Sequence, residues 1–260
     1  MTIAGSDSGA GAGIQADLKT FAAHGVYGTS VLTAVTAQNT TGVIDIQELP
    51  PEIIANQIKA VMEDMPVKAV KTGMLSSSTI IETVVSSLEK FGVETLIVDP
   101  VMVAKGGDKL LQDSAIHTLK EKLLPLALVL TPNVPEAEVL TGHTINNLTD
   151  AKNAAKKLLD LGTTTVVVKG GHLYGKPVDI YYDGFNYYEF SATRIVTSSD
   201  HGTGCTFSAA ITANLAKELP IKDSIQLAKN YVSRSLQTAY PIGKGHGPLN
   251  HFGDFPSTTS

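Results

Sequence analysis

Two glycines, a threonine and a cysteine stand in a row, Gly202-Thr203-Gly204-Cys205, and run on into the small apolar stretch Ala209-Ala210-Ile211. The first N–H groups of a helix have no partner within it and carry partial positive charge. Glycines let such a backbone come close to an anion. The segment can therefore hold a phosphate while charge grows on it. The same residues also make an ordinary glycine turn and helix start. Cys205 falls in the first turn, where the dipole lowers a thiol pKa. It is expected to be a thiolate, acting as a base toward a hydroxyl or as a nucleophile; the alternative is a small buried cysteine.

Four further segments carry candidate chemistry. Gly5-Ser6-Asp7-Ser8-Gly9-Ala10-Gly11-Ala12-Gly13 follows a short strand and leads into a helix from Ile14 to about Phe21. It lacks the Gly-Lys-Ser/Thr ending of a Walker A loop and the spacing of a dinucleotide fingerprint. It reads as a ligand-binding loop or a plain strand-to-helix turn. In Thr131-Pro132-Asn133-Val134-Pro135-Glu136, Asn133 and Glu136 lie three apart at a helix start. They can face one hydrated Mg²⁺ or cap the helix reciprocally. Asp99, before Pro100, ends a strand and offers a carboxylate to Mg²⁺ or its water. Lys169, before Gly170-Gly171, ends another and can reach a phosphate.

These residues need elements that bring them to one edge. Residues 28–37, 67–72, 95–99, 127–131 and 164–169 are short, β-branched apolar runs closed by turn residues, and predict buried strands. Helical spacing recurs in Ile81, Val84, Leu88 and Phe91, and in Ala151, Ala155 and Leu158 before Gly162. It recurs again in Ile221, Ile225, Ala228, Val232 and Leu236 behind Pro220. Alternating strands and helices predict an α/β fold: a central, mostly parallel sheet with helices on both faces. Asp183-Gly184, between aromatic runs, predicts a hairpin and a small antiparallel edge. Four of the five segments then lie at carboxyl ends of strands, where open α/β sheets bind ligands.

The chain has 260 residues, 43% of them hydrophobic and 17% charged, and a net charge of −5. It is expected to be one domain over 1–260, with a frayed tail from about 253. No Lys/Arg cluster stands out, which argues against a nucleic-acid partner. No apolar run approaches the length of a membrane span. A single cysteine excludes an internal disulfide framework and a Cys-based zinc site, and suits a reducing, cytoplasmic setting. The chain enters its first strand abruptly, with no leader pattern, so a few residues are expected to precede it. Residues 102–112, with Gly106-Gly107, are expected to form a mobile flap. No role is assigned to Gly243-Lys244-Gly245-His246-Gly247-Pro248.

Thr2-Ile3-Ala4-Gly5-Ser6-Asp7-Ser8-Gly9 and the following Gly13-Ile14-Gln15-Ala16-Asp17-Leu18-Lys19-Thr20 resemble the hydroxymethylpyrimidine/phosphomethylpyrimidine kinases. So do Thr36-Ala37-Gln38-Asn39-Thr40, Lys71-Thr72-Gly73-Met74, Asp99-Pro100-Val101-Met102 and the 131–138 and 201–205 segments. The resemblance runs from residue 2 to about 252. It implies a ribokinase-like fold, ATP and Mg²⁺ as cofactors, and a homodimer. It also implies two successive phosphorylations in thiamine biosynthesis: of 4-amino-5-hydroxymethyl-2-methylpyrimidine, then of its monophosphate. Gln38 matches the position that hydrogen-bonds the pyrimidine; Gly5, Asp17, Met74 and Val101 match positions lining its pocket. Asn133 and Glu136 match the motif tied to Mg²⁺ and phosphate, and Gly202, Thr203 and Gly204 the anion hole. The wider superfamily carries Asp where this chain has Cys205; the pyrimidine branch and related bacterial pyridoxal kinases carry Cys. Pyridoxal kinase or dual activity is the alternative. A non-catalytic sensor on the same fold would be expected to lose these residues, and a nicotinamide dehydrogenase would need the missing fingerprint.

Overall fold

The computed structural model describes residues 1–104, 106–108, 110–173 and 175–253. The expected tail beyond 253, and Lys105 and Lys109 of the expected flap, lie outside the described residues. The elements, in chain order, are β1 (Thr2–Asp7), α1 (Gly13–Ala23), β2 (Ser30–Asn39), β3 (Gly42–Glu48), α2 (Pro51–Asp64) and β4 (Val70–Thr72). Then come α3 (Ser78–Lys90), β5 (Leu96–Val98), α4 (Asp113–Thr118), β6 (Val129–Leu130), α5 (Val134–Thr141) and α6 (Leu148–Leu159). The last are β7 (Thr165–Val168), β8 (Val178–Tyr182), β9 (Tyr187–Ser191), α7 (Thr203–Ala216) and α8 (Ile221–Gln237).

The strands form one sheet in the order β3-β2-β1-β4-β5-β6-β7-β8-β9. From β2 to β7 every pairing is parallel. β3 and the β8–β9 hairpin are antiparallel, so the sheet has an antiparallel edge at both ends rather than the one expected. Residues 42–48 gave no buried-strand signal because β3 is nowhere fully buried. α2 was likewise unassigned; only Ile54 and Ile58 of its fourteen residues are buried.

β5 and β6 are apolar throughout because both faces are covered. Along β5, Leu96 and Val98 pack into the cluster holding Ile54, Ile81 and Leu158, while Ile97 packs with Phe207, Ile211 and Ile225. The period of two thus sends alternate residues to opposite helical layers. α7 is buried continuously from Thr206 to Asn214, so packing holds it despite glycine and β-branched residues in its first turns.

β1 lies between β2 and β4. Phe21 of α1 packs against Ala209 and Ala213 on one side of the sheet, and Ile54 and Ile58 of α2 enter the cluster on the other. The winding therefore reverses beside β1, which opens a crevice at the carboxyl ends of β1 and β4. Among the described residues no helix is long and apolar enough to cross a membrane.

Candidate active site

The crevice is a cleft of about 820 Å³. Gly5, Gln38, Met74, Asp99, Val101, Asn133, Glu136 and Lys169 line it, together with residues 202–205 at the start of α7. Seven separated sequence segments thus meet on one sheet edge.

Gly202 caps α7 with φ 83° and ψ 10°, a left-handed conformation. A Cβ there would stand 1.8 Å from the Gly11 carbonyl oxygen. The two glycine-rich segments touch backbone to backbone, and only glycine permits it. The first-turn N–H groups of Thr203, Gly204 and Cys205 have no acceptor further back in their helix. Lys169 Nζ lies beside them, 3.2 Å from where a Cβ of Gly204 would be. Dipole and ammonium therefore converge on one point, as an anion site requires.

The Gly5–Gly13 segment differs from a phosphate cradle. Asp7 Oδ2 accepts from the N–H groups of Gly11 and Ala12 at 3.0 and 2.8 Å, and Oδ1 from Gly9 N–H at 2.8 Å. His201 Nε2 completes the set, 2.9 Å from Oδ2. Burial alone would raise the Asp7 acid, but His201 and the backbone donors win and hold it below the usual carboxylate range. The loop still lines the cleft through Gly5, Ser6, Asp7, Ala12 and Gly13.

Asp17 is not a pocket-lining residue, contrary to expectation. It lies fully buried behind the cleft wall, its oxygens 2.8 and 2.9 Å from Lys71 Nζ. Thr2 Oγ1 donates to it at 2.6 Å. Asp17 faces the sheet because α1 packs that side of the helix down on β1, next to Lys71 of β4. Lys71 does line the cleft. Burial opposes its charge, yet Asp17, Cys205 and Asp99 keep it protonated well above the ordinary lysine range.

The expected Cys205 thiolate is also reversed. Burial pushes the thiol up to about 11, with Asp17 and Asp99 adding to the rise. Lys71 and a hydrogen bond from Gly13 pull the other way and lose. The helix dipole that motivated the expectation is outweighed by desolvation. At neutral pH Cys205 is a thiol.

Asp99 Oδ1 pairs with Lys169 Nζ at 2.9 Å, and Ser208 Oγ donates to its Oδ2 at 3.2 Å. Burial works against its charge, but Lys169 and Lys71 hold the acid below its usual value. Asn133 and Glu136 form the reciprocal cap: Asn133 Oδ1 accepts from Glu136 N–H at 2.9 Å, and Glu136 Oε2 from Asn133 N–H at 2.7 Å. Capping and cleft-lining are thus both true of this pair. Burial raises Glu136 to about 7; Lys169 opposes this and Asp99 adds to it.

Half-buried Gln38, near the end of β2, brings its Nε2 to 3.4 Å from His201 Nε2. Its Oε1 accepts from Thr36 Oγ1 at 3.1 Å. The other half of the cleft was not read from sequence. Pro177, residues 192–195 and Val232, Ser233 and Leu236 of α8 line it, over the buried pair Lys229–Asp179 at 2.7 Å. Its one sequence signal was the α8 stripe, whose last residues, Val232 and Leu236, border the cleft while packing with the core. Lys71 had a clearer signal, a lysine inside a buried strand.

A family model described as phosphomethylpyrimidine kinase matches residues 7–250. The chain is 49% identical over 257 residues to the hydroxymethylpyrimidine/phosphomethylpyrimidine kinase of Bacillus subtilis, covering 97% of this chain and 94% of that one. It is 50% identical over 252 residues to the thiamine biosynthesis bifunctional protein ThiED of Geobacter sulfurreducens. There it covers 96% of this chain but spans only 51% of the relative. The pyridoxal kinase of Staphylococcus aureus, solved with AMP-PCP and pyridoxal, superposes with a TM-score of 0.90 at 36% identity. That match covers 98% of this chain and 93% of that one.

Proposed function

The chain belongs to the phosphomethylpyrimidine kinase family, and on that premise we propose that it transfers the γ-phosphoryl group of ATP to a pyrimidine alcohol. The acceptor is the hydroxymethyl oxygen of 4-amino-5-hydroxymethyl-2-methylpyrimidine. A second transfer, to the resulting monophosphate, gives the diphosphate. The observation that carries this reading is the meeting of Gln38, Lys169 and the open first turn of α7 in one cleft. The whole 1–260 segment is read as one kinase domain, a reading supported by the single sheet that joins β1 to β9 and by the packing of α7 and α8 against it.

Gln38, an amide that donates and accepts at once, reads the ring edge. Gly5 leaves room for the ring against Met74: a Cβ at position 5 would meet Met74 Sδ at 3.0 Å. The acceptor then lies on the β1–β4 side, and the nucleotide on the α8 side. The phosphates meet at residues 202–204, where backbone N–H groups and Lys169 take up their charge.

The site fits Mg²⁺ without enclosing it. Among the described residues no group of three or more His, Cys, Asp or Glu could hold a metal. Mg²⁺ is commonly held by one or two carboxylates together with substrate phosphates. Glu136 and Asp99, both on the cleft wall, would be those carboxylates, and the ion would neutralise phosphate charge.

Phosphoryl transfer through a loose transition state asks little of a base. Cys205, neutral at pH 7, is proposed to pack and orient the hydroxymethyl end rather than to remove its proton. Rate then comes from alignment and charge neutralisation. A homodimer and a cytoplasmic setting belong to the same reading.

The test is ATP consumption by the purified protein with the pyrimidine alcohol, its monophosphate and pyridoxal in parallel, with and without Mg²⁺. Turnover with both pyrimidines, dependent on Mg²⁺, is expected. Turnover with pyridoxal alone would replace the reading by pyridoxal kinase, which the superposition with the Staphylococcus aureus enzyme keeps in view.

A further inference from the structure

Gly243-Lys244-Gly245-His246-Gly247-Pro248 follows α8 and crosses two loops of the cleft. It meets the turn after β2 first: Gly245 N–H donates to Thr40 Oγ1 at 3.2 Å, and His246 N–H to Thr40 O at 2.8 Å. It then meets the loop before α7. Gly247 N–H donates to Ser198 O, and His201 N–H to Gly247 O, each at 2.9 Å. The His246 side chain adds a third tie, Nδ1 lying 2.8 Å from Asp200 Oδ1.

The glycines are there for contact. A Cβ on Gly243 would stand 2.3 Å from Thr40 Oγ1, one on Gly245 2.0 Å from Thr40 O, and one on Gly247 2.9 Å from Ser199 Oγ. Three side chains are thus omitted so that this backbone can lie against the side chain and carbonyl of Thr40 and the hydroxyl of Ser199. Thr40 stands two residues after Gln38, and His201 immediately before Gly202. The segment therefore joins the residue that reads the acceptor ring to the residue that opens the anion site.

We propose that this segment is a positioning strap that holds Gln38 in register with the anion site at residues 202–204, with His246 and Thr40 as its positioning residues. Stability is a poor explanation for the His246 tie. Its side chain is 51% exposed and that of Asp200 28%, and ion pairs of this kind contribute little to folding. Geometry is the better one, since small misplacements of reacting groups are costly in rate. Among the described residues the strap's hydrogen bonds run to Thr40, Ser198, Asp200 and His201 and not to the α8-side residues assigned to the nucleotide, so its effect should fall on the acceptor.

The inference rests on the kinase reading and has its own test. His246→Ala, Thr40→Val and Gly245→Ala are compared with the parent for KM of the alcohol, KM of ATP, kcat and thermal midpoint. Expected for His246→Ala is a fall of roughly tenfold or more in kcat/KM for the alcohol, with KM for ATP unchanged within about twofold. Its midpoint should move by no more than about 2 °C. His246→Asn, whose amide can still donate to Asp200, should restore much of the loss. Should Gly245→Ala fail to fold, His246→Ala and Thr40→Val carry the test alone. Equal shifts in both KM values, no kinetic change, or a lowered midpoint with unchanged kinetics would each overturn the strap. A parent protein silent on the alcohol would instead overturn the kinase reading.

Discussion

The neutral thiol at Cys205 yields the sharpest prediction. Its pKa of about 11 leaves roughly one molecule in a thousand ionised at pH 8, since each unit is a factor of ten. A resident thiolate base would therefore work at about a thousandth of its capacity, a handicap of roughly 4 kcal/mol. Were it nevertheless the base, kcat would climb close to tenfold per pH unit between 7 and 10. Cys205→Ala would also lose the 10²–10⁴-fold that general-base catalysis typically supplies. Positioning predicts otherwise: a flat profile over that range, and Cys205→Ala and Cys205→Ser within about tenfold of the parent. The assay is steady-state ATP turnover on the pyrimidine alcohol from pH 6.5 to 10, with circular dichroism to show that each variant is folded. A profile rising with unit slope that flattens in Cys205→Ala would refute the reasoning, because it would place the ionised sulfur on the reaction path.

Two further outcomes follow from the same cleft. Glu136 is held near 7 in the fold against 4.5 when free; a folded pKa raised above the unfolded one stabilises fully below about 4.5 and loses that stabilisation as pH rises through 7. Glu136→Gln removes the titration while keeping an oxygen for the Asn133 N–H. It should be more stable than the parent by up to about 3 kcal/mol at pH 8 and by little at pH 4.5; urea melts at both pH values check this, and a gap that does not depend on pH counts against it. Gly202→Ala and Gly142→Ala both place alanine at a positive φ, but only at 202 does the new methyl meet an atom, at 1.8 Å; at 142 nothing lies within 4 Å. The Gly142 variant should lose about 1 kcal/mol, the Gly202 variant distinctly more together with its turnover, and equal losses in parallel thermal melts would show that the contact with Gly11 does not matter.

Much of the parallel sheet was legible because its strands are buried on both faces and so read as plain apolar runs, as in residues 95–99. The structure trimmed them, since only Leu96–Val98 pair as a strand while Asp99 turns into the cleft. The hairpin after Asp183 was legible from turn chemistry, and Asp183 Oδ1 does accept from the N–H groups of Phe185 and Asn186. β3 and α2 were not, because periodicity reports burial and these elements are largely exposed. The site residues were visible as a class, since polar types follow apolar strands at the ligand edge. Depth was not visible: nothing local says that Asp17 faces Lys71 instead of the cleft, or that its surroundings push the Cys205 thiol up. Both depend on packing between segments far apart in sequence.

The carboxylate of Asp7 has one more consequence. Two glycine-rich segments border the cleft, and by composition either is fit to receive a phosphate. In the fold the first already has its tenant: Asp7 fills its own loop's donors, much as a bound anion would. Only the second keeps its donors for a guest. On the proposed reading, the phosphoryl group would therefore dock at residues 202–204 and not on the loop that Asp7 already fills. Glycine content marks where a backbone can fold tightly around negative charge; which charge it folds around, resident or visiting, is decided by one aspartate.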